Sequence, residues 1–370
     1  MGSFERKFIK TESIAAFGQA TFAVTDALSV TAGVRWSKDD KSYTAFREGR
    51  GQICLQGGTE VPGDGRNCPA GSVPTPSAQT VKGSWSSVSP RFSIQYKWTP
   101  DVMTYVSAAK GYKGGGFNDT LQSRCFRSPL PDCGLGEYKA ENLWTYEVGF
   151  RSDLFDRRVR LNVTAFLTKY KDQQIQLADP GPPPLVYTVN GDSTVKGIEV
   201  EFLAAPIESL LLRASLGYVD SSYDEDIQGL SGTVVITPQV PFYRSPKWSY
   251  TLGASYDVPV GESGDVTFDI NWGWKGKQAS FPSPTNFIIQ PSYGLLNGRI
   301  AYEADAGWSI ALFGNNLTDK YYLTGGFDPS GPASKPSPGL AGVPHDRVFG
   351  FTMLDIGRPR EFGVEIGYKF

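Results

Sequence analysis

Two-residue alternation of apolar and polar side chains runs through segment after segment of this sequence, and it commits the chain to strands with one greasy and one wet face. In the last segment Phe362, Val364, Ile366, Tyr368 and Phe370 share one side, while Gly363, Glu365, Gly367 and Lys369 share the other. Leu28, Val30, Ala32, Val34 and Trp36 alternate in the same way with Ser29, Thr31, Gly33, Arg35 and Ser37. The pattern returns in Trp248, Tyr250, Leu252, Ala254 and Tyr256, and again in Val266, Phe268, Ile270, Trp272 and Trp274. A composition of 42 glycines and 26 prolines together with 8 Trp, 18 Tyr and 22 Phe argues against a helical bundle. Intrinsic disorder is excluded as well, because 40% of the residues are hydrophobic and only 20% charged.

The connections between these segments also alternate. Short turns are expected near 25–27, 99–101, 154–157, 205–208, 259–264 and 305–307. Longer linkers are expected near 48–82, 114–137, 179–185, 224–245, 282–290 and 325–355. Short turns on one side and long loops on the other is the arrangement of outer-membrane barrels. A soluble sandwich or propeller alternates too, but its strands are shorter than the runs of ten residues and more seen here. Trp and Tyr cluster near strand ends on the apolar face, where they read as interfacial girdles, and Arg, Lys, Glu and Asp occupy the other face as in a hydrated lumen. No apolar run approaches the 18 residues of a membrane helix, so any membrane crossing uses strands. Lys plus Arg (36) nearly balances Asp plus Glu (38), which removes the basic excess of a nucleic-acid binder.

The expected fold is therefore all-β, an antiparallel transmembrane β-barrel, with about thirteen strands by alternation. Single-chain bacterial barrels have even strand numbers, so thirteen implies that closure needs more strands. At roughly 28 residues per strand and connection, a 22-stranded plugged transporter would need about 600 residues. The first 30 residues carry Glu5, Arg6, Lys7, Lys10 and Glu12 and no apolar core of a leader, so the further strands are expected before Met1. Four cysteines form two close pairs in loop-rich stretches, Cys54 with Cys68 and Cys125 with Cys133. Their spacing is not zinc-like, and two loop-closing disulfides in an oxidising compartment are expected. Closing a loop of about 15 residues stabilises by about 3 kcal/mol in the chain-entropy picture.

From about Phe17 to the C-terminus the sequence resembles the TonB-dependent outer-membrane receptors. The resemblance rests on SVTAGVRW (29–36), SPRFSIQYKWTPD (89–101), TYVSAAKGYKGGGFN (104–118) and ENLWTYEVGFRSDLFDRRVRLNVTAFLTKYKDQQ (141–174). It continues in VKGIEVEF (195–202), FGNNLTDKYY (313–322) and GRPREFGVEIGYKF (357–370). Order and spacing carry the signal rather than any one segment. The last strand resembles the signal read by the outer-membrane assembly machinery, with Ile366, Tyr368 and Phe370 on the lipid face. Nothing in the sequence resembles the family's N-terminal plug or its TonB-contacting box, so residues 1–370 are expected to be the C-terminal part of a barrel domain.

What the resemblance implies is active uptake of a ferric siderophore, driven through TonB, ExbB and ExbD, with no bond-making chemistry and no cofactor. Other bulky nutrients, such as cobalamin or an oligosaccharide, and a passive porin-like barrel are the alternatives. Capture would fall to loops and upper-lumen side chains: Tyr112, Lys113, Phe117, Tyr170, Tyr223, Tyr243, Arg244, Phe281, Phe287, Tyr321, Tyr322 and Phe327. Rings can pack on aryl groups of such a ligand, and Arg or Lys can meet an anionic iron complex. Set against this, a Tyr at a strand end is usually girdle. His345 is the only histidine and has no partner for a metal or general-base role. Glu199 and Glu201 share a face, which suits lumen acids facing Arg and Lys better than a glycosidase pair. GYKGGGF (111–117) leads into a loop rather than a helix and so is no phosphate-binding fingerprint. Asp220, Asp224, Glu225 and Asp226 lack EF-hand spacing.

Overall fold

A computed structural model describes residues 3–49, 53–56, 59–62, 73–74, 78–118, 136–179, 185–228, 234–279, 288–327 and 353–369. One antiparallel sheet of 13 strands, each paired to its neighbours in sequence, organises them. The strands are β1 (Ser3–Ala23), β2 (Leu28–Gly49), β3 (Ala78–Thr99), β4 (Val102–Lys113), β5 (Glu141–Leu154), β6 (Val159–Asp179) and β7 (Leu185–Ile207). There follow β8 (Leu210–Tyr223), β9 (Trp248–Pro259), β10 (Gly264–Lys275), β11 (Tyr293–Ala304), β12 (Trp308–Asn315) and β13 (Glu361–Tyr368). The expected strand number and the alternation of short and long connections both appear. Boundaries differ in places: β3 starts at Ala78, earlier than the expected 82; the connection expected over 282–290 spans 276–292; and the last long connection contains a ribbon, Leu323–Phe327 with Met353–Ile356.

Register joins the alternating rows of neighbouring strands into two continuous faces. On the apolar face, Val30 sits between Phe22 and Ile94, and Leu252 between Ala214 and Trp272. Leu312 likewise sits between Ile300 and Val364. These side chains stay uncovered, Phe362 at 73% and Ile366 at 78% exposure, as side chains solvated by hydrocarbon must be. Toward the long connections the same rows turn polar at one level. Trp36 gives way to Lys38 and Asp40, Ile14 to Glu12 and Lys10, Leu167 to Lys169 and Lys171, and Tyr218 to Asp220. Paired rings mark that level, with Tyr250 stacked on Trp274 at 5.2 Å and Tyr218 tilted against Trp248 at 4.6 Å. A second girdle lies near the short turns, where Tyr302 meets Trp308 at 5.2 Å and Tyr96 meets Trp98 at 4.7 Å. From Trp248 to Tyr256 the strand climbs about 27 Å, or about 20 Å along the membrane normal at the usual tilt, somewhat less than the apolar band of about 25 Å on such barrels.

The other face is polar. Every arginine whose side chain is described within the strands, namely Arg35, Arg91, Arg151, Arg160, Arg213 and Arg299, falls on it. Arg213 pairs with Asp269 at 2.9 Å, Arg160 with Asp153 at 2.6 Å and Arg299 with Glu365 at 3.6 Å. Arg151 lies 5.3 Å over the Tyr105 ring and donates to Tyr105 Oη and Thr164 Oγ1. That ring occupies the space where a side chain at 149 would stand, so this position requires glycine.

Two irregularities shape the long-connection end. β3 pairs with β2 as far as Ala78 but with β4 only as far as Arg91, because the next residue is Pro90, which has no N–H. Above that point the end of β4 packs on the polar face of β2 and β3: Lys110 Nζ donates to Ser87 Oγ at 3.2 Å, and Lys41 Nζ donates to the Gly115 carbonyl at 2.7 Å. The second irregularity is a bulge between Tyr170 and Gln173 in the pairing of β6 with β7, where Asp172 has φ 54°. The Asp192 carboxylate holds it, accepting from the Asp172 N–H at 3.0 Å and from Lys171 at 2.6 Å. Beyond the bulge, Ile175, Leu177, Tyr187 and Val189 pack with Tyr223, Ile227 and Ile236 into a buried apolar lobe.

Candidate functional site: a lumen recess under stitched loops

Three of the long connections meet above β7 to β11. Tyr243 bridges Ala279, and the Arg244 N–H donates to the Ala279 carbonyl at 2.9 Å, which ties connection 224–247 to connection 276–292. Arg244, held at φ 51°, lays its guanidinium 4.9 Å from the Tyr243 ring centre and donates from Nη2 to the Thr324 carbonyl at 2.7 Å. That bond adds connection 316–360. The Leu323 N–H donates to Gln290 Oε1 at 2.6 Å, and Tyr322 stacks on Tyr293 with centroids 4.7 Å apart. Such long-range ties turn flexible linkers into a positioned surface.

Beneath them the polar face forms a recess of about 720 Å³. Glu199, Glu201, Ser215, Thr251, Asn271 and Lys275 line its wall, and Tyr322 and Thr324 lie at its upper side. Asn162 donates to Glu201 at 3.2 Å. The recess thus offers hydrogen-bond donors and acceptors, carboxylates, one ammonium group and two stacked rings. It can hold a bulky polar solute, and among the described residues lining it no hydrogen bond joins a nucleophile to a base.

Of the residues expected to meet a ligand, the structure brings together Tyr243, Arg244 and Tyr322 at this place, with exposed Tyr321 beside them. Phe117 belongs to a second cluster, 5.7 Å from Trp85, with Lys41 5.6 Å over the Trp85 ring. Lys113 ends β4 and is exposed, and Tyr170 lies on the polar face just below the bulge. Tyr112 sits on the opposite row of β4 from the polar face, with its hydroxyl buried near the β2 and β3 extension. Tyr223 is a member of the apolar lobe, stacked on Phe242 at 4.3 Å. Ile366 and Tyr368 stand on the apolar face of β13. Phe281, Phe287, Cys68, Cys125, Cys133, His345 and Phe370 lie outside the described residues, as do the side chains of Cys54 and Phe327. Asp220 is held by Lys247 at 2.9 Å and Lys196 at 3.7 Å. Tyr293, Lys275 and Trp85 are site residues that sequence reasoning passed over. Alternation could have found them, since each stands in a polar-face row.

Comparison with known proteins places this architecture. The family model described as TonB dependent receptor-like, beta-barrel, matches residues 2–317. The Ferric-pyoverdine M114 receptor PbuA of Pseudomonas sp. (strain M114) is 26% identical over 314 residues, covering 84% of this chain and 33% of that protein. The Pesticin receptor of Yersinia enterocolitica is 24% identical over 329 residues, covering 86% and 41%. The crystal structure of the ferric yersiniabactin uptake receptor FyuA from Yersinia pestis superposes with a TM-score of 0.71 at 19% identity, over 98% of this chain and 46% of that one. The chain thus spans between a third and a half of the length of these relatives. With its paired apolar and polar faces, its girdles and its one-sided long loops, the chain belongs to the β-barrel family of TonB-dependent receptors, transport proteins of the outer membrane.

Proposed function

We propose that this chain is the ligand-facing wall of a receptor that takes up a ferric siderophore, and that residues 1–370 form a partial barrel domain without the plug. The remaining strands of a 22-stranded barrel, the plug and the contact with TonB, ExbB and ExbD would lie in parts of the receptor outside this chain. One observation carries the reading: three loops are stitched through Arg244, Thr324 and Gln290 over a recess edged by Tyr322 and Tyr293. A guanidinium beside paired rings suits an anionic metal complex with aryl or hydroxamate arms. Relatives named for ferric pyoverdine and for a metal-pseudopaline complex support the same class of solute.

The test is transport. The receptor, expressed from its natural gene in an iron-starved host lacking its own siderophore receptors, is expected to restore accumulation of labelled iron from at least one ferric siderophore, and to lose it when TonB is deleted. Uptake of cobalamin or an oligosaccharide with no siderophore active would overturn the iron assignment, and TonB-independent flux would favour a passive barrel. The same reading pairs Cys54 with Cys68 and Cys125 with Cys133 in the exported receptor. Peptide mapping under non-reducing conditions is expected to show both cross-links, and four free thiols would refute them.

A further inference from the structure

Connection 224–247 serves two places at once. Its first part is buried: Ile227 and Ile236 lie in the apolar lobe at 3% and 2% exposure, and Val240 and Phe242 pack against it. Phe242 stacks on Tyr223 with ring centroids 4.3 Å apart and planes 25° from parallel. The lobe is itself tied to the wall, since the Asp224 N–H donates to the Asp192 carbonyl at 3.0 Å and Thr194 Oγ1 donates to the Asp224 carboxylate at 3.0 Å. The residues that follow Phe242 belong to the recess cap, Tyr243 on Ala279 and Arg244 on Thr324. Beyond them the chain is fixed again, because Ser245 Oγ meets Ser221 Oγ at 3.2 Å and the Val219 N–H donates to the Lys247 carbonyl at 2.9 Å.

Local preference would not place Arg244 where it stands. At φ 51° it occupies the left-handed region, which a residue with a Cβ keeps only when its surroundings fix the backbone. In extended backbone, side chains two apart share a side, so Arg244 would return toward the lobe with Phe242. The left-handed turn directs it to the Thr324 carbonyl of another connection. Downstream the backbone is held by Ser245 and Lys247, and upstream the nearest anchor is the Phe242 ring.

We propose that Phe242 is a positioning residue for ligand capture: stacked on Tyr223, it fixes the backbone that presents the Arg244 guanidinium over the recess. The inference rests on the reading of Arg244 as a ligand contact. With the ring released, the segment can leave the left-handed conformation, and apparent affinity falls with the fraction of receptors still presenting the guanidinium. Of Tyr223 only the stacked ring takes part, so Tyr223→Phe keeps the anchor.

Two measurements on the receptor, expressed from its natural gene, test the inference apart from the ligand reading. The first needs no ligand: spin labels at Gln239 and Lys320, both exposed, report the distance between connections 224–247 and 316–360. Phe242→Ala is expected to widen the distance distribution about twofold, and Phe242→Tyr, which keeps the ring, to preserve it. Gly191→Val acts from β7, where a Cβ would take the place of Ile227 Cδ1, and is expected to widen it in the same way. The second is a double-mutant cycle in the binding of radioiron-labelled ferric tris-catecholate and trihydroxamate complexes to intact cells. Phe242→Ala is expected to weaken binding about fivefold where Arg244 is present, and by no more than about 1.5-fold in the Arg244→Ala receptor. Unchanged distributions in Phe242→Ala and Gly191→Val overturn the inference whatever the receptor binds. Equal losses with and without Arg244 overturn it too, since the ring then acts by another route than the guanidinium. Binding indifferent to Arg244→Ala counts against the ligand reading, and widened distributions then support the positioning of Arg244 alone.

Discussion

Leu252→Arg is expected to destabilise the receptor by about 2–4 kcal/mol, while Thr251→Arg, one residue away, stays within about 0.5 kcal/mol. Leu252 stands between Ala214 and Trp272 on the apolar face, midway between the Trp248 and Tyr256 levels of β9, at 51% exposure. A guanidinium there must enter hydrocarbon or drag water and headgroups toward it. Thr251 points into the recess beside Glu199 and Asn271, where a cation is hydrated and has carboxylates within reach. Urea titration of the two variants in lipid vesicles reads the difference as a shift in midpoint. The opposite order of midpoints would mean that the two faces have been exchanged, and with them every assignment of wall and lumen.

Arg244→Ala is expected to weaken ferric siderophore binding by about 10-fold to 100-fold, the loss of about 1.5–3 kcal/mol that removing a charged hydrogen-bond donor brings. The guanidinium contributes twice: it offers charge beside the Tyr243 ring, and its bond to the Thr324 carbonyl holds connection 316–360 over the recess. Arg244→Lys retains the charge but not the planar fork, so it should recover part of the affinity. Tyr223→Phe serves as the contrast, since Tyr223 is packed in the lobe and should leave affinity unchanged. Equilibrium binding to intact cells, normalised to surface receptor, separates the variants. An Arg244→Ala receptor that binds as tightly as the parent would remove the loop cap from the ligand site.

What was legible in the sequence follows from periodicity. A strand's side chains alternate strictly, so Leu28 to Trp36, Trp248 to Tyr256 and Phe362 to Tyr368 disclosed their apolar faces without any knowledge of partners. Turn lengths then gave the two ends of the wall. The failures lie where one residue breaks the count or where contacts span distant segments. The bulge at Tyr170 and Gln173 shifts β6 by one row, which brings Ile175 and Leu177 to the polar-face side, where they pack with Tyr223 in a buried lobe. Pro90 frees β4 from β3, and Tyr112 goes to the overlap rather than to the mouth. The union of Arg244, Thr324 and Gln290 joins three connections across up to 80 residues, and no local pattern announces it.

The bulge also divides the temperature response of the molecule. Opening the lobe above it would hand Ile175, Leu177, Val189 and Ile236 to water and carry a positive heat-capacity change. Parting strands below it leaves the apolar face in hydrocarbon and carries little of that change. Cooling therefore weakens the hydrophobic contribution to the lobe and spares the wall, so that β6 and β7 behave as a cold-sensitive element above the bulge and as one with little heat-capacity change below it.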